Sequence, residues 1–391
     1  MECQKFYIEI LGCPMRAIEA QRLKDYFIIN GYKESSLQEA NVVSVFTCSV
    51  VDETEASTLT FVESILGKGK RILLLGCSPG ISPNLLRERF GFEMIPTKDL
   101  ENLIDTLFPN FKIKFNEIPL PSEFNKEYQY GNYYLNQFER YDRKNIFKRV
   151  KRKPALLISS KGCNNNCSYC TMRRALGPVK SYSLENLGRN YKKMREDGFD
   201  MIIFNADDTG AFGIDCGQTF ETLLDYCYNI EEQLKIGKVC WVIDNLHPMW
   251  AIKYQDTFLK YIKNKTIVEI VMPLQSASNR VLKLMKRKHN VEDVEKCIAR
   301  FRDANAKFLL KTHFIIGFPT EDTEDINSIK RILKQKYFNH VILLKYYEGE
   351  NSDSALIENK IPIDTVNERI EVLTKLLTEI KIEFYIAGTP Y

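Results

Sequence analysis

Apolar and polar positions along this chain alternate between two rhythms. In the first hundred residues three short β-rich apolar runs, FYIEILGC, NVVSVFTC and RILLLGC, recur. Stretches with apolar residues three or four apart follow them, near Ile18–Asn30, Thr54–Leu66 and onward to Phe108. Buried strand runs alternating with amphipathic helices predict a parallel sheet with right-handed crossovers. From residue 154 the same alternation predicts six more strand-then-helix units. Their strands fall near Ala155–Ser159, Met201–Phe204, Val239–Ile243, Ile267–Met272, Phe308–Ile316 and Val341–Leu344. Their helices fall near Leu184–Glu196, Phe220–Glu232, Met249–Lys263, Glu292–Asp303, Glu324–Lys334 and Val366–Ile380. The predicted fold class is α/β: an open parallel domain over 1–115, then a partial (βα)6 TIM-type barrel over 154–391.

Between these, residues 116–153 follow neither rhythm. They are rich in Tyr and Phe and end in the Lys- and Arg-rich run Arg143–Lys153, which contains no acid. Such a segment is either a solvated interdomain linker or a surface where aromatics stack on bases beside phosphate-binding cations. Composition changes little: 44% hydrophobic and 27% charged residues in 391 are those of an ordinary globular protein. A net charge of +4 does not by itself call for a nucleic-acid partner. No apolar run approaches the ~20 residues of a membrane span, and the start lacks a signal-peptide pattern. The expectation is a cytoplasmic protein without a membrane partner.

The cysteines carry the chemistry. Cys163, Cys167 and Cys170 are spaced C-x3-C-x2-C just after the predicted strand at Ala155–Ser159. Three thiols fall one short of the four that close a structural zinc site or an ordinary iron–sulfur cluster. If they hold a [4Fe–4S] cluster, one iron is open to a non-protein ligand; a zinc site with a distant fourth ligand is the other reading. Cys13, Cys48 and Cys77 each end one of the first three strands. Parallel strands present their carboxyl ends at one edge, where ligands of open α/β sheets bind, so these three are expected to converge. The plainer alternative is three small buried hydrophobes. Eleven cysteines, an odd number, do not suggest a secreted disulfide scaffold.

The C-x3-C-x2-C loop, with Tyr169 before its last cysteine, resembles that of the radical S-adenosylmethionine (SAM) enzymes. In that superfamily the open iron binds SAM, whose reductive cleavage yields a 5′-deoxyadenosyl radical. The GC…TC…GC cysteines and the segments DTGAFGID, PLQSAS, LKLMKR and IIGFPTE are similar to the methylthiotransferase family, closest to its archaeal–eukaryotic transfer-RNA subgroup. The resemblance covers about residues 5–108 and 154–380. It implies a second [4Fe–4S] cluster on Cys13, Cys48 and Cys77, whose open iron carries the sulfur to be delivered. It also implies that Cys163, Cys167 and Cys170 are catalytic, that Tyr169 packs near the adenine, and that Asp208, Gln275 and Gly317 line the SAM pocket. An electron donor such as flavodoxin or ferredoxin is implied as a partner.

Departures from the family bear on the substrate. Arg16 and Phe46 stand where relatives usually have Asn, Leu176-Gly177 replaces Arg-Gly, and Thr312-His313 replaces Thr-Asp. Gly349 to Ser352 replaces Arg-Pro-Gly-Thr, and no TRAM-type β-barrel domain follows the last helix. These favour a peptide, protein side chain or small molecule as the site of sulfur insertion, with transfer-RNA adenosine as the alternative. A third possibility keeps both clusters but uses the second for electron transfer or substrate anchoring. Cys3, Cys216, Cys227, Cys240 and Cys297 show no ligand spacing and read as structural. His247, His289 and His340 have no base or nucleophile close in sequence.

Overall fold

The computed structural model describes residues 4–48, 52–119, 154–349 and 352–387; the aromatic and basic run before Pro154 lies outside them. The chain forms two compact units. In the first, β1 (Lys5–Ile10), β2 (Lys33–Glu34), β3 (Val42–Thr47), β4 (Arg71–Gly76) and β5 (Glu93–Pro96) form one sheet in the order β2-β1-β3-β4-β5. All its pairings are parallel. Helices Pro14–Ile29, Asp52–Ile65, Ser78–Ile81, Pro83–Phe90 and Leu100–Leu107 lie between and after the strands. Phe6, Phe27, Phe46, Leu75 and Ile104 fill one core cluster, and Val43, Val45, Val62 and Leu74 fill another. Strands β3 and β4 therefore read as continuous apolar runs, as expected for a parallel sheet buried on both faces. The edge strands β2 and β5 escape the hydrophobic pattern because edge pairs of two and four residues carry little of it.

Residues 171–177, which directly follow the cysteine loop in sequence, belong to this first unit. Within it, helix Met172–Leu176 packs on Ser78–Ile81: Cys77, Ile81, Ala175 and Leu176 form one buried cluster. A Cβ at Gly80 would lie 2.6 Å from the Ala175 Cα, so this contact demands a glycine.

The second unit holds seven parallel strands in the order β14-β13-β12-β11-β10-β9-β6. These are β6 (Pro154–Ile158), β9 (Met201–Asn205), β10 (Cys240–Ile243), β11 (Ile267–Val271), β12 (Leu309–Ile316), β13 (His340–Lys345) and β14 (Glu383–Ala387); the short strands β7 (Ser160–Lys161) and β8 (Lys180–Ser181) pair antiparallel with each other. The six expected strands are present, and a seventh, β14, continues the sheet beyond β13, pairing Val341 with Phe384 and Leu343 with Ile386. A five-residue strand is too short to declare a period of two by itself. The expected helix Met249–Lys263 is broken at Tyr254 into Pro248–Lys253 and Gln255–Lys263.

Alternation along β12 gives this sheet two different faces. Leu310, Phe314 and Ile316 belong to the main apolar core with Trp241, Ile243, Ile270 and Val341. Lys311 and His313 take the alternate positions, and Lys311 Nζ meets Glu269 Oε1 of β11 at 2.8 Å, both side chains buried. Burial and the Lys311 charge push His313 down to about 4, so it is neutral at physiological pH.

Candidate active site

Each unit places one trio of cysteines at the carboxyl ends of parallel strands. In the first unit Cys13 follows β1 and precedes helix Pro14–Ile29, Cys48 follows β3, and Cys77 follows β4. Cys48 and Cys77 are buried and Cys13 is half-buried. Burial pushes the Cys77 thiol well up, Arg16 pulls it down, and Cys13 and Cys48 push it further up. Those mutual effects require three thiols in one neighbourhood, although up to 64 residues separate them in sequence.

In the second unit the loop after β6 carries Cys163, Cys167 and Cys170, all half-buried. Neighbouring elements hold it from several sides. The Gly162 N–H donates to the Asp207 carboxylate (2.7 Å) and Asn165 Nδ2 donates to Asp208 (2.6 Å), so the loop after β9 grips its beginning. The Ser168 N–H and hydroxyl donate to the carbonyls of Met285 and Leu284, at 3.1 and 2.8 Å. The sulfurs are met by N–H donors. Asn165 N and Nδ2 approach Cys163 Sγ at 3.4 and 3.5 Å, and an Arg287 guanidinium N–H approaches Cys167 Sγ at 3.6 Å. Donors of this kind stabilise thiolate and cluster sulfur.

Of the residues expected beside the cofactor, Asp208 is buried and accepts from Trp250 Nε1 (2.9 Å) as well as from Asn165. Burial raises its carboxyl to about 6. Tyr169 packs on the apolar cluster of Val281, Met285, Ile315 and Phe318, and its hydroxyl lies 3.4 Å from the Arg287 guanidinium. Gln275 sits after β11 with φ 73°, a strained conformation for a side chain with a Cβ. Its backbone is fixed by bonds to His313 and Ile315, and its Oε1 is buried with no hydrogen-bond partner among the described residues. Gly317 has φ 86°, and a Cβ there would lie 2.4 Å from Val366 Cγ2; the backbone turn and helix Ile363–Glu379 account for that glycine.

Three features escape single-sequence reading because long-range packing creates them. Arg287 joins the loop, Tyr169 and, by a 2.7 Å bond, the Pro273 carbonyl. Trp250 reaches Asp208 across 42 residues. His247 and His289 face each other edge to face at 5.5 Å. Burial and Arg287 hold both rings neutral, His289 pushed down to about 3. Of the cysteines expected to be structural, Cys227, Cys240 and Cys297 are buried, Cys216 is exposed, and Cys3 lies outside the described residues.

Among the described residues, no three His, Cys, Asp or Glu side chains stand close enough to share one metal ion. A four-iron cluster makes a different demand, one thiolate per iron spread around a cube. The donor set fits it chemically: three half-buried thiols, of which Cys163 and Cys167 already meet N–H donors. Burial and Asp208 push the Cys163 thiol up to about 12, as burial does at Cys297.

Comparison with known proteins agrees with this geometry. A Radical SAM superfamily model matches residues 157–333, and a model described as Uncharacterized protein family UPF0004 matches residues 5–95. The radical SAM methyltransferase TsrM of Kitasatospora setae shares the fold, with a TM-score of 0.60 at 10% identity over 87% of this chain and 74% of that one. The second unit, with its cysteine loop after the first strand, therefore makes the protein a radical SAM enzyme, a class that uses SAM and a [4Fe–4S] cluster. A probable threonylcarbamoyladenosine tRNA methylthiotransferase of Pyrococcus horikoshii is 26% identical over 385 residues, spanning 97% of this chain and 85% of the relative. The ribosomal protein uS12 methylthiotransferase RimO of Legionella pneumophila (strain Philadelphia 1) is 25% identical over 381 residues, 95% and 82% of the two chains. The chain belongs to the radical SAM methylthiotransferase family and is a transferase. No helix among the described residues is long and apolar enough to cross a membrane.

One electrostatic consequence is testable in the apo protein. Glu321 is buried beside the Gly317 turn, accepts the Gly317 N–H (2.9 Å) and pairs with Arg369 (2.8 Å). Burial outweighs both and raises its carboxyl to about 7. A carboxyl raised on folding holds its proton more tightly in the native state. Its stabilising contribution is full below the unfolded value, near 4.5, and is lost as pH rises through 7. Urea unfolding at pH 5 and pH 8 is expected to show this loss in the wild type and a flatter profile in Glu321→Gln.

Proposed function

We propose that Cys163, Cys167 and Cys170 hold the SAM-binding [4Fe–4S] cluster and that Cys13, Cys48 and Cys77 hold a second. The chain then transfers a methylthio group to an unactivated C–H bond of a transfer-RNA nucleoside. The observation that carries the two-cluster reading is the second trio itself: three thiols from three strand ends, sharing one electrostatic neighbourhood. When bound, the clusters and SAM supply the radical and the sulfur. The chain's residues supply the rest. Asn165 and Arg287 donate to the loop sulfurs, and Asp207 and Asp208 fix the loop's entry. Tyr169 offers an aromatic face held by the Phe318 cluster, and Gln275 Oε1 offers an unused acceptor to a ligand N–H. Gly317 permits the turn that brings its strand end against Val366.

On substrate, of the peptide, protein side chain or small molecule favoured by the sequence departures, only the protein side chain has a counterpart among these relatives. Their names specify transfer RNA or a ribosomal protein, so the transfer-RNA alternative stands first. A ribosomal-protein side chain is the second reading, favoured by the RimO relatives. Deleting the gene and analysing digested bulk transfer RNA by mass spectrometry separates them. Loss of a methylthio-modified adenosine supports the first. Unchanged nucleosides together with a methylthio mass lost from a ribosomal protein would replace it with the second. Direct binding to transfer RNA should weaken steeply with salt if phosphates are contacted.

A further inference from the structure

Arg16 is the least expected residue beside the first cysteine trio. Similar methylthiotransferases usually have Asn there, a short neutral amide; this chain puts a full positive charge in the same place. The side chain is 1% exposed, as is Glu19. The first turn of helix Pro14–Ile29 folds Arg16 back over the preceding turn. A Cβ at Gly12 would lie 2.6 Å from Arg16 Cγ, so the glycine before Cys13 makes room for the arginine stem. From there the guanidinium donates to Cys77 Sγ at 3.7 Å and to the Thr97 hydroxyl, and its Nε faces Glu19 Oε2 at 3.3 Å. The Thr97 hydroxyl approaches the same Glu19 oxygen at 3.4 Å.

A buried guanidinium costs much in desolvation unless it is paired and hydrogen-bonded. Here Glu19 and Thr97 provide both, and they hold the cation where one N–H faces a sulfur. The influence of Arg16 on Cys77 exceeds that of Glu19, so the pair does not cancel at the thiol. Iron–sulfur potentials are set by net charge, hydrogen bonds to the sulfurs and solvent exposure. Adding an electron makes the cluster more negative. A nearby fixed cation with an N–H···S bond stabilises that state more than the oxidised one.

We propose that Arg16 is a positioning residue that raises the reduction potential of the cluster held by Cys13, Cys48 and Cys77, through its charge and its hydrogen bond to the Cys77 sulfur. The inference rests on the two-cluster reading. The redox step is the uptake of one electron by the cluster from a low-potential one-electron donor, with no bond made or broken at Arg16.

The test uses the full-length chain carrying Cys163→Ala, Cys167→Ala and Cys170→Ala, reconstituted anaerobically, so that only this cluster remains. Dithionite titration with redox mediators, read by the electron paramagnetic resonance of the reduced cluster, gives its midpoint. Arg16→Gln is expected to lower the reduced-to-oxidised ratio at fixed potential about tenfold, a shift of ~59 mV for one electron. Arg16→Lys, keeping the charge but not the fork, should recover part of it. Four irons bound with an unchanged midpoint in Arg16→Gln would overturn the proposal. Absence of iron in the parent triple variant would overturn the two-cluster reading itself. If Arg16→Gln holds no iron, Thr97→Ala, which loosens the guanidinium without removing its charge, decides: a negative shift supports the proposal and no shift overturns it.

Discussion

Replacing Cys13, Cys48 and Cys77 together with alanine is expected to halve the iron and acid-labile sulfide of anaerobically reconstituted protein, from about eight to about four of each per chain. The same change at Cys163, Cys167 and Cys170 should also leave about four, but of the other kind. The distinction lies in SAM. The first variant should still change its reduced-state spectrum on adding SAM and should cleave SAM to 5′-deoxyadenosine. The second should do neither. The expectation follows from geometry: the trios sit at strand ends of two separate sheets, each within its own unit. Iron that stays near eight in the first variant would remove the second cluster from the proposal. Methylthio product from that variant would remove its role in sulfur delivery.

Breaking the ion pair between Lys311 and Glu269 should give a large loss of stability in the second unit. Both side chains are buried, on the adjacent strands β11 and β12, at 2.8 Å. Lys311→Met leaves the Glu269 carboxylate buried and unpaired, a defect that costs about 3–5 kcal/mol. Burial already raises the nearby Asp244 carboxyl to about 6, with Glu269 adding to the rise and Lys311 opposing it, so removal of the cation unbalances two acids. The double substitution Lys311→Met with Glu269→Leu should recover most of the loss, because a well-packed apolar pair avoids the desolvation cost. Urea unfolding followed by tryptophan fluorescence reports on this unit alone, since the chain's two tryptophans, Trp241 and Trp250, both belong to it. A single variant within 1 kcal/mol of wild type, the scale of an exposed pair, would show that water screens these charges.

Much of the architecture could be read from periodicity. The strands at 42–47, 71–76 and 201–205 are nearly continuous buried runs of five or six residues, legible from their length and their place between helical stretches. Helix Leu184–Glu196 matches its expected bounds because a Ser183 cap, accepting from the Asn186 N–H, marks its start. Strands β2, β5 and β14 were illegible for a common reason. They are short edge elements whose identity comes from the neighbour they pair with.

The sites divide along the same line. Spacing singled out Cys163, Cys167 and Cys170 because a short loop of thiols is a local object. Strand-end placement identified Cys13, Cys48 and Cys77 because parallel topology converts a repeated position in sequence into proximity in space. Asp208 could be singled out from its loop but not its partners, since Trp250 and Asn165 reach it from 42 and 43 residues away.

The amino-acid sequence alone determined the α/β class and the two trios of thiols, one in a short loop and one at three strand ends. Those properties depend on residue type and short-range period. Tertiary structure decided what surrounds the sulfurs: Arg287 over the Cys163–Cys170 loop and Arg16 against Cys77. It also decided the neutral pair His247 and His289, and the return of residues 171–177 to the first unit. Each depends on the burial of charge or on contact between distant segments. Burial and contact are properties of the folded chain, set by packing at distances that no local pattern encodes.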